Sequence, residues 1–203
     1  MSDIERWETR FAAPGYLFGT APNAFIKSKA DLLRAKAPGK ALSIADGEAR
    51  NGVFMAEQGL DVLSLDASVR AQEKARKLAQ DRGVALHLER GDLEVWSWPL
   101  AQYDVIAGIF FQFLTPDSRS KVFAGIKRAL KPGGLLLIEG YRPEQLKYKT
   151  GGPSEIERLY TRELLEAAFG DFSSLDIREY DAIVEEGAGH AGMSALIDLV
   201  GYK

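Results

Sequence analysis

The octapeptide Ala45-Asp46-Gly47-Glu48-Ala49-Arg50-Asn51-Gly52 follows the apolar run 41–44 and alternates small residues with charged ones. Small side chains at 45, 47 and 49 let the backbone approach a ligand closely, and N–H groups exposed at such a turn face a carboxylate or phosphate. Asp66 closes a second run, DVLSLD, at the position where an acid accepts hydrogen bonds from ribose hydroxyls. Asp92, within Gly91-Asp92-Leu93, follows a third run and has the chemistry to hold an adenine amino group. Each has a plain alternative, a tight turn or a helix cap. Their order along the chain points instead to one nucleoside-bearing ligand. The turn lacks G-x-G-x-x-G spacing, which counts against a nicotinamide cofactor.

Acid–base groups are sparse, since the chain holds only His87 and His190. His190 sits among glycines in EEGAGHAG, in a predicted loop between two terminal strands, placed to orient or deprotonate a substrate. Pinning that loop is its structural alternative. His87, mid-strand between apolar neighbours, is structural. Tyr16 and Phe18 make an aromatic wall if the N-terminal segment folds over the ligand. Arg142, just past the fifth strand, is placed to attract an anionic substrate, or else is a surface residue.

These residues need a scaffold, and the chain supplies a periodic one. Strands are predicted at 41–45, 61–66, 84–88, 103–108 and 135–139, with helices between them. The first, fourth and fifth are nearly all apolar, as central parallel strands are. Threonine caps at 115 and 161 and glycine stops frame the helices at Val69 to Arg82, from Thr115-Pro116 to Leu130, and after Thr161. Strands around 172–184 and 193–202, separated by the glycine-rich stretch 186–192, pair antiparallel. Residues 1–39 carry Trp7, Phe11, Tyr16, Phe18 and Phe25, with a helix from Asn23 to about Lys36; this segment is a lid or a side helix on an α/β core of 40–203 in one domain, 1–203.

Composition removes other classes. With 203 residues, net charge −3 and no cysteine, disulfides, thiolate metal sites and a cysteine nucleophile are excluded, and two histidines exclude a multi-histidine metal site. No global positive field argues for nucleic acid or an anionic membrane as partner; the cluster Lys74, Arg76 and Lys77 reads as a solvated helix face. The start MSDIERWETR lacks the apolar core of a signal peptide, and no stretch nears the ~18 apolar residues of a membrane span. A cytoplasmic protein is expected.

The segments LSIADGEARNGVFMAEQGLDVLSLDAS, GDLEVWSWPLAQYDVIAGIFFQFL and LKPGGLLLIEGY resemble the successive motifs of class I S-adenosylmethionine-dependent methyltransferases. RW…RF…YLFGTAPNAF, YKTGGP and EEGAGHAG narrow the likeness to the tellurite-resistance-type and thiopurine-methyltransferase-like subgroup. The resemblance implies a Rossmann-like, mostly parallel seven-stranded sheet with a C-terminal antiparallel hairpin and helices on both faces. It implies S-adenosylmethionine as cofactor, with Ala45, Asp46 and Gly47 along its methionine part and Arg50 near the carboxylate. Asp66 would hold the ribose, Ala67 and Ser68 would flank the adenine, and Gly91, Asp92 and Leu93 would contact its edge and face. Gly108, Ile109 and Phe110 would floor the sulfonium, while Phe18, Phe111 and Gln112 would face the acceptor. That acceptor would be a small molecule, such as a thiol or chalcogen oxyanion, methylated by in-line displacement. The first motif departs from the family at Ser43, where an acid is usual, and at Ala45 and Ala49, where glycines are usual; Asp46 is then expected to supply the missing charge near the cofactor's ammonium. A cofactor-binding module without catalysis and a nicotinamide-dependent oxidoreductase are the alternatives.

Overall fold

Runs that are apolar on both sides of the chain need cover on both faces, and they occupy the centre of one sheet. The computed structural model describes residues 3–187 and 189–203. β1 (Lys40–Ile44), β4 (Tyr103–Ile109) and β5 (Leu130–Tyr141) lie side by side in it. β2 (Asp61–Asp66) and β3 (His87–Arg90) extend one edge, and β7 (His190–Tyr202) and β6 (Ser174–Glu186) the other, in the order β3-β2-β1-β4-β5-β7-β6. The first five strands pair in parallel, whereas β7 runs antiparallel to both β5 and β6. This is the mixed sheet with a terminal hairpin that the resemblance implied.

Alternation along each strand sorts the helices. Leu42, Ile44, Ile106, Leu136 and Ile138 point to α6 (Pro116–Ala129) and α8 (Arg162–Phe169). Ala41, Val62, Val105 and Leu137 point to α2 (Ala24–Ser28), α3 (Ala30–Arg34) and α4 (Arg50–Glu57). α5 (Val69–Arg82) packs on α4 through Ala75, Leu78 and Val53. The expected caps Thr115 and Thr161 form, and Ser68 caps α5 as well; each accepts from the N–H three residues on, at 3.3, 3.2 and 3.0 Å.

Three boundaries move. The predicted helix over 23–36 is split, because the Ser28 hydroxyl donates to Phe25 O and Lys29 leaves helical geometry (φ −99°, ψ 14°). β3 starts at His87 because Gly83 ends α5 and Val84 N folds back onto Ala79 O. The terminal ladder runs out to the Glu186–His190 pair, so the predicted loop 186–192 shrinks to a tight turn and His190 becomes a strand residue; position 188 lies outside the described residues. Among the described residues no helix is long and apolar enough to cross a membrane.

The segment between α1 (Asp3–Phe11) and α2 is strapped across α4 and α5. Leu17 N and Lys74 Nζ both donate to the Glu48 carboxylate, at 2.7 and 2.8 Å, and Lys74 also reaches Ala13 O. Lys74 is therefore a tether, not part of a solvated face. The Tyr16 hydroxyl donates to Lys74 O at 3.3 Å, and its ring packs on the α4–α5 cluster. Tyr16→Phe is expected to leave turnover unchanged and to cost under about 1 kcal/mol of stability, as steady-state rates and thermal melting will show.

Candidate functional site

A cleft opens where the parallel strands end, at the edge where open α/β sheets bind ligands. It encloses about 880 Å³ when the space open to solvent at its mouth is included. Its first wall is the turn after β1. Ala45 (φ 46°) and Ala49 (φ 62°) adopt left-handed backbone although neither is glycine, a conformation costing roughly 1–2 kcal/mol per residue. Asp46 holds that geometry from beneath. Its carboxylate accepts from Ser64 Oγ at 2.7 Å and Gly52 N at 3.3 Å. Burial pushes its pKa up against those bonds. Asp46 thus borders the cleft, with its carboxylate bonded beneath the turn to Ser64 and to the start of α4.

Gly47 (φ 57°) sits at the apex, where a Cβ would stand 3.0 Å from the Phe11 ring. Its N–H donates to Asp66 Oδ2 at 2.8 Å, and Ser68 N–H donates to Oδ1 at 2.8 Å. Two backbone donors thus orient Asp66 at the strand end, with lone pairs left over for a ligand. Burial raises its pKa to about 6 in spite of those donors, with the negative charges of Asp46 and Glu8 adding to the rise. Ala67, Ser68, Gly91, Asp92 and Leu93 continue the wall. The Asp92 carboxylate accepts from Glu94 N at 3.0 Å, closing the turn that presents it. Ile109 and Phe110 form the opposite side, Phe110 with φ 54° at the end of β4.

The roof was not assigned residue by residue from sequence. Asp3, Ile4, Trp7 and Phe11 of α1 line the cleft, and Trp7 and Phe11 stack at 5.6 Å. Their i, i+4 spacing puts both on one helix face, and that was the signal available. Glu8 latches this helix by accepting from Ser68 Oγ at the start of α5. So α1 covers the cleft, while α2 and α3 pack against the side of the sheet.

At the far end stands His190, 8% exposed, with ring centroids of Phe110 at 4.4 Å and Phe18 at 4.5 Å. Burial lowers its pKa, leaving a neutral imidazole near neutrality, although the nearby Glu186 opposes the shift. Glu186 is a second residue that sequence reasoning missed. Its carboxylate meets Arg50 Nη2 at 2.5 Å, Asn23 Nδ2 at 3.0 Å and Ala24 N at 3.1 Å, and lies 3.9 Å from His190 Nδ1. Burial would raise its pKa, but the neighbouring His190 and Arg50 hold it at about 2. Arg50 lines the cleft, yet its charge is matched by Glu186.

Behind this group, Glu139 is registered against Asp198 across the β5–β7 ladder. Two buried acids side by side cannot both ionise. Burial, then Asp198 and Glu186, push the Glu139 pKa well above its usual value, so it is the protonated partner. Its proton is held in the fold and released on unfolding above the usual carboxylate pKa. Stability from this group is therefore present at low pH and lost as pH rises towards its folded pKa. Glu139→Gln mimics the neutral form, so its melting temperature is expected to fall less between pH 6 and 9 than that of the unsubstituted chain.

The structure draws Ala45–Gly47, Arg50, Asp66–Ser68, Gly91–Leu93, Ile109, Phe110, Phe18 and His190 around one cleft. Five expected site residues are elsewhere. Tyr16 faces α5, as described. Phe111 is buried in the core against Phe123 and Tyr160, because the left-handed Phe110 sends successive side chains to opposite sides. Gly108 packs beneath the strand end, where a Cβ would strike Phe111 and Ile44. Arg142 is held by Glu144 and Asp181 and donates to Leu196 O. Gln112 walls a neighbouring cavity, but its amide is committed to Tyr141 N and O and to Arg158 O.

Residues 41–134 match the family model of the methyltransferase domain. An uncharacterized methyltransferase of Synechocystis sp. is 28% identical over 116 residues, which is 54% of this chain and 51% of that protein. The chain thus spans about half the length of this relative. A SAM-dependent methyltransferase from Aquifex aeolicus superposes with TM-score 0.64 at 15% identity, covering 100% of this chain and 99% of that one. TehB from Haemophilus influenzae gives 0.69 at 15% identity, over 98% of this chain and 66% of that one. A protein solved in work on the conversion of a disulfide bond into a thioacetal group during echinomycin biosynthesis gives 0.77 at 15% identity, over 100% and 94%. At such identities the likeness is one of fold. The domain match is confined to residues 41–134, and over the rest of the chain the likeness is the Rossmann-like fold alone.

Proposed function

We propose that this chain transfers a methyl group from S-adenosylmethionine to a small-molecule acceptor. One observation carries the reading. A single cleft gathers the Ala45–Gly47 turn, Asp66 with unused lone pairs, the Gly91–Leu93 segment and Phe110 in the order a nucleoside with an attached amino-acid arm requires. The residues fit such a group: Asp66 accepts from paired hydroxyls, Leu93 offers an apolar face to a base, and Gly47 leaves room where a side chain would meet Phe11.

Bound S-adenosylmethionine supplies an electrophilic methyl on a positively charged sulfur. What the chain does is position and exclude water. Asp66 fixes the sugar, and the turn at 45–47 sets the arm. The α1 lid, with Trp7 and Phe11, closes the open side. Phe110 and His190 border the end where the acceptor enters. His190 is buried and neutral, so it takes a proton from an acceptor that arrives protonated and only orients one that arrives as an anion. A soft nucleophile such as a thiol or chalcogen oxyanion suits this scarcity of acid–base groups, and the likeness of the N-terminal and EEGAGHAG segments to the tellurite-resistance and thiopurine subgroup supports it.

The test is a calorimetric titration with S-adenosylmethionine, S-adenosylhomocysteine and NAD(H), followed by labelled-methyl transfer to thiols, chalcogen oxyanions, halides and amines. Binding of both adenosyl compounds with transfer to a member of that panel is expected. Binding without any transfer would leave a cofactor-binding module, and binding of NAD(H) alone would overturn the reading.

A further inference from the structure

Building on the methyl-transfer reading above, we infer that the acceptor is a small anion bound in a second cavity off the cofactor cleft, with Arg10 holding its charge. This cavity, about 970 Å³ out to its mouth, shares Trp7, Phe110, Phe113 and His190 with the cleft. Those four side chains stand between the two spaces, where an acceptor must meet the methyl.

Trp7 Nε1, Tyr141 Oη and His190 Nδ1 are buried polar atoms with no hydrogen-bond partner among the described residues. Tyr141 and His190 are both more than nine-tenths buried. A buried polar group left unpaired costs roughly 1–3 kcal/mol, so a small shift at this junction that brings these atoms partners is favoured.

Charge points to an anion. Arg6, Arg10 and Arg158 line the cavity against the single acid Glu155. Arg6 is paired with Asp3 at 2.9 Å, and Arg158 with Asp3 and Glu155 at 3.7 and 4.0 Å. Arg10 meets no carboxylate among the described residues. Its guanidinium lies 4.5 Å over the Trp7 ring and 5.9 Å over Phe18. Stacking fixes its plane and leaves the edge N–H groups free for a carboxylate or oxyanion. Desolvation and the like charge of Arg6 both disfavour its protonated form, and a bound anion relieves both.

The floor is shaped to match. Gly151 (φ 133°) and Gly152 (φ 84°) press the segment after α7 (Gln145–Tyr148) onto Tyr141, and a Cβ at 152 would stand 2.8 Å from that ring. A side chain there would push the segment off the cavity. The result is a slot with aromatic walls, a positive mouth and polar atoms at its inner end, suited to a small apolar body with an acidic group at one end and the nucleophile at the other. The lone pair of that nucleophile forms the bond to the methyl carbon while the carbon–sulfur bond breaks with its electron pair onto sulfur, leaving a neutral thioether. If the nucleophile enters as a thiol or hydroxyl, its proton passes to the neutral His190.

The probes are paired thiols, mercaptopropionate against mercaptopropanol and mercaptobenzoate against mercaptobenzamide. Each is titrated calorimetrically into the full chain saturated with S-adenosylhomocysteine and assayed for labelled-methyl transfer. In at least one pair the acid is expected to bind about tenfold tighter and to be methylated preferentially, as one charge-assisted contact allows. Arg10→Gln should bring the acid down to its neutral partner, Arg10→Lys should restore part of the preference, and neither should change thioether affinity by more than about twofold. Equal binding in both pairs, or a preference that survives Arg10→Gln, overturns the inference. So does an Arg10→Gln variant that loses thioether affinity with no change in acid preference, since Arg10 would then serve the cofactor. If the thioether fails to bind the unsubstituted chain, the proposed function falls, while the anion preference is still decided on the free chain by the same substitution.

Discussion

Asp66→Ala is expected to weaken S-adenosylhomocysteine binding about 100-fold in a calorimetric titration of the folded variant. The figure follows from two hydroxyl-to-carboxylate hydrogen bonds at ~1.5 kcal/mol each, the lower end for bonds to a charged group. The same substitution frees Gly47 N–H and Ser68 N–H, which the carboxylate now accepts at 2.8 Å each. A loss of ~1–3 kcal/mol in stability should accompany it, so circular dichroism must first confirm the fold. Asp66→Asn separates the effects, because it keeps the volume and one acceptor oxygen while removing the charge. Unchanged thioether affinity in a folded Asp66→Ala variant would remove the ribose assignment.

Asp66 also sets the pH dependence. Burial lifts its pKa to about 6, opposed by the Ser68 and Gly47 N–H donors and assisted by the negative charges of Asp46 and Glu8. A ligand whose hydroxyls donate to the carboxylate binds the ionised form better. Affinity is therefore flat above about pH 7 and falls as pH drops through about 6, by up to tenfold per unit below it. Stability of the ligand-free chain has the opposite slope. The folded carboxyl holds its proton to about 6 and the unfolded one only to 3.8, so stability from this group is full below 3.8 and is lost as pH rises through about 6. In Asp66→Asn both dependences should vanish.

How much of this was legible in the sequence depended on the range of the deciding contacts. β1, β4 and β5 are apolar in sequence because they are covered on both faces, so the strands, the sheet and the position of Asp66 were readable. The Gly47–Asp66 contact joins the ends of adjacent parallel strands, and regular strand spacing announces it. The hydrogen bond from Ser64 to Asp46 was not readable, because Ser64 lies 18 positions away on β2 and nothing local announces the pairing. Tyr16 and Phe18 are two residues apart in a strap with no regular period, and one packs on α5 while the other enters the cleft. Phe110 and Phe111 are consecutive, and only the positive φ of Phe110 decides which lines the cleft. Glu186 looked like one more surface acid at a glycine-rich turn; its partners Arg50 and Asn23 are 136 and 163 positions away, beyond any local signal.

His190→Ala is expected to lower kcat about 100-fold, the low end for loss of a positioned proton acceptor, with cofactor affinity changed less than about threefold. His190 borders both the cleft and the second cavity, and its Nδ1 is unpartnered. It is therefore the one buried, neutral imidazole where acceptor and methyl must meet. Alanine also opens a hole among Phe18, Phe110 and Tyr141, so a loss of activity alone would not separate chemistry from packing. His190→Phe fills that space without a ring nitrogen, and His190→Gln restores a polar end without a base of useful pKa. If the imidazole takes a proton, both variants lose kcat with a thiol or hydroxyl acceptor and keep it with one presented already ionised, such as a selenide. If His190→Phe turns over every acceptor at the unsubstituted rate with an unchanged melting temperature, the residue packs the junction and the acceptor enters already deprotonated. Glu186→Gln supplies the second check. It removes the carboxylate 3.9 Å from Nδ1 that opposes the depressed His190 pKa, so the acid limb of the kcat profile should move to lower pH for protonated acceptors and stay in place for ionised ones.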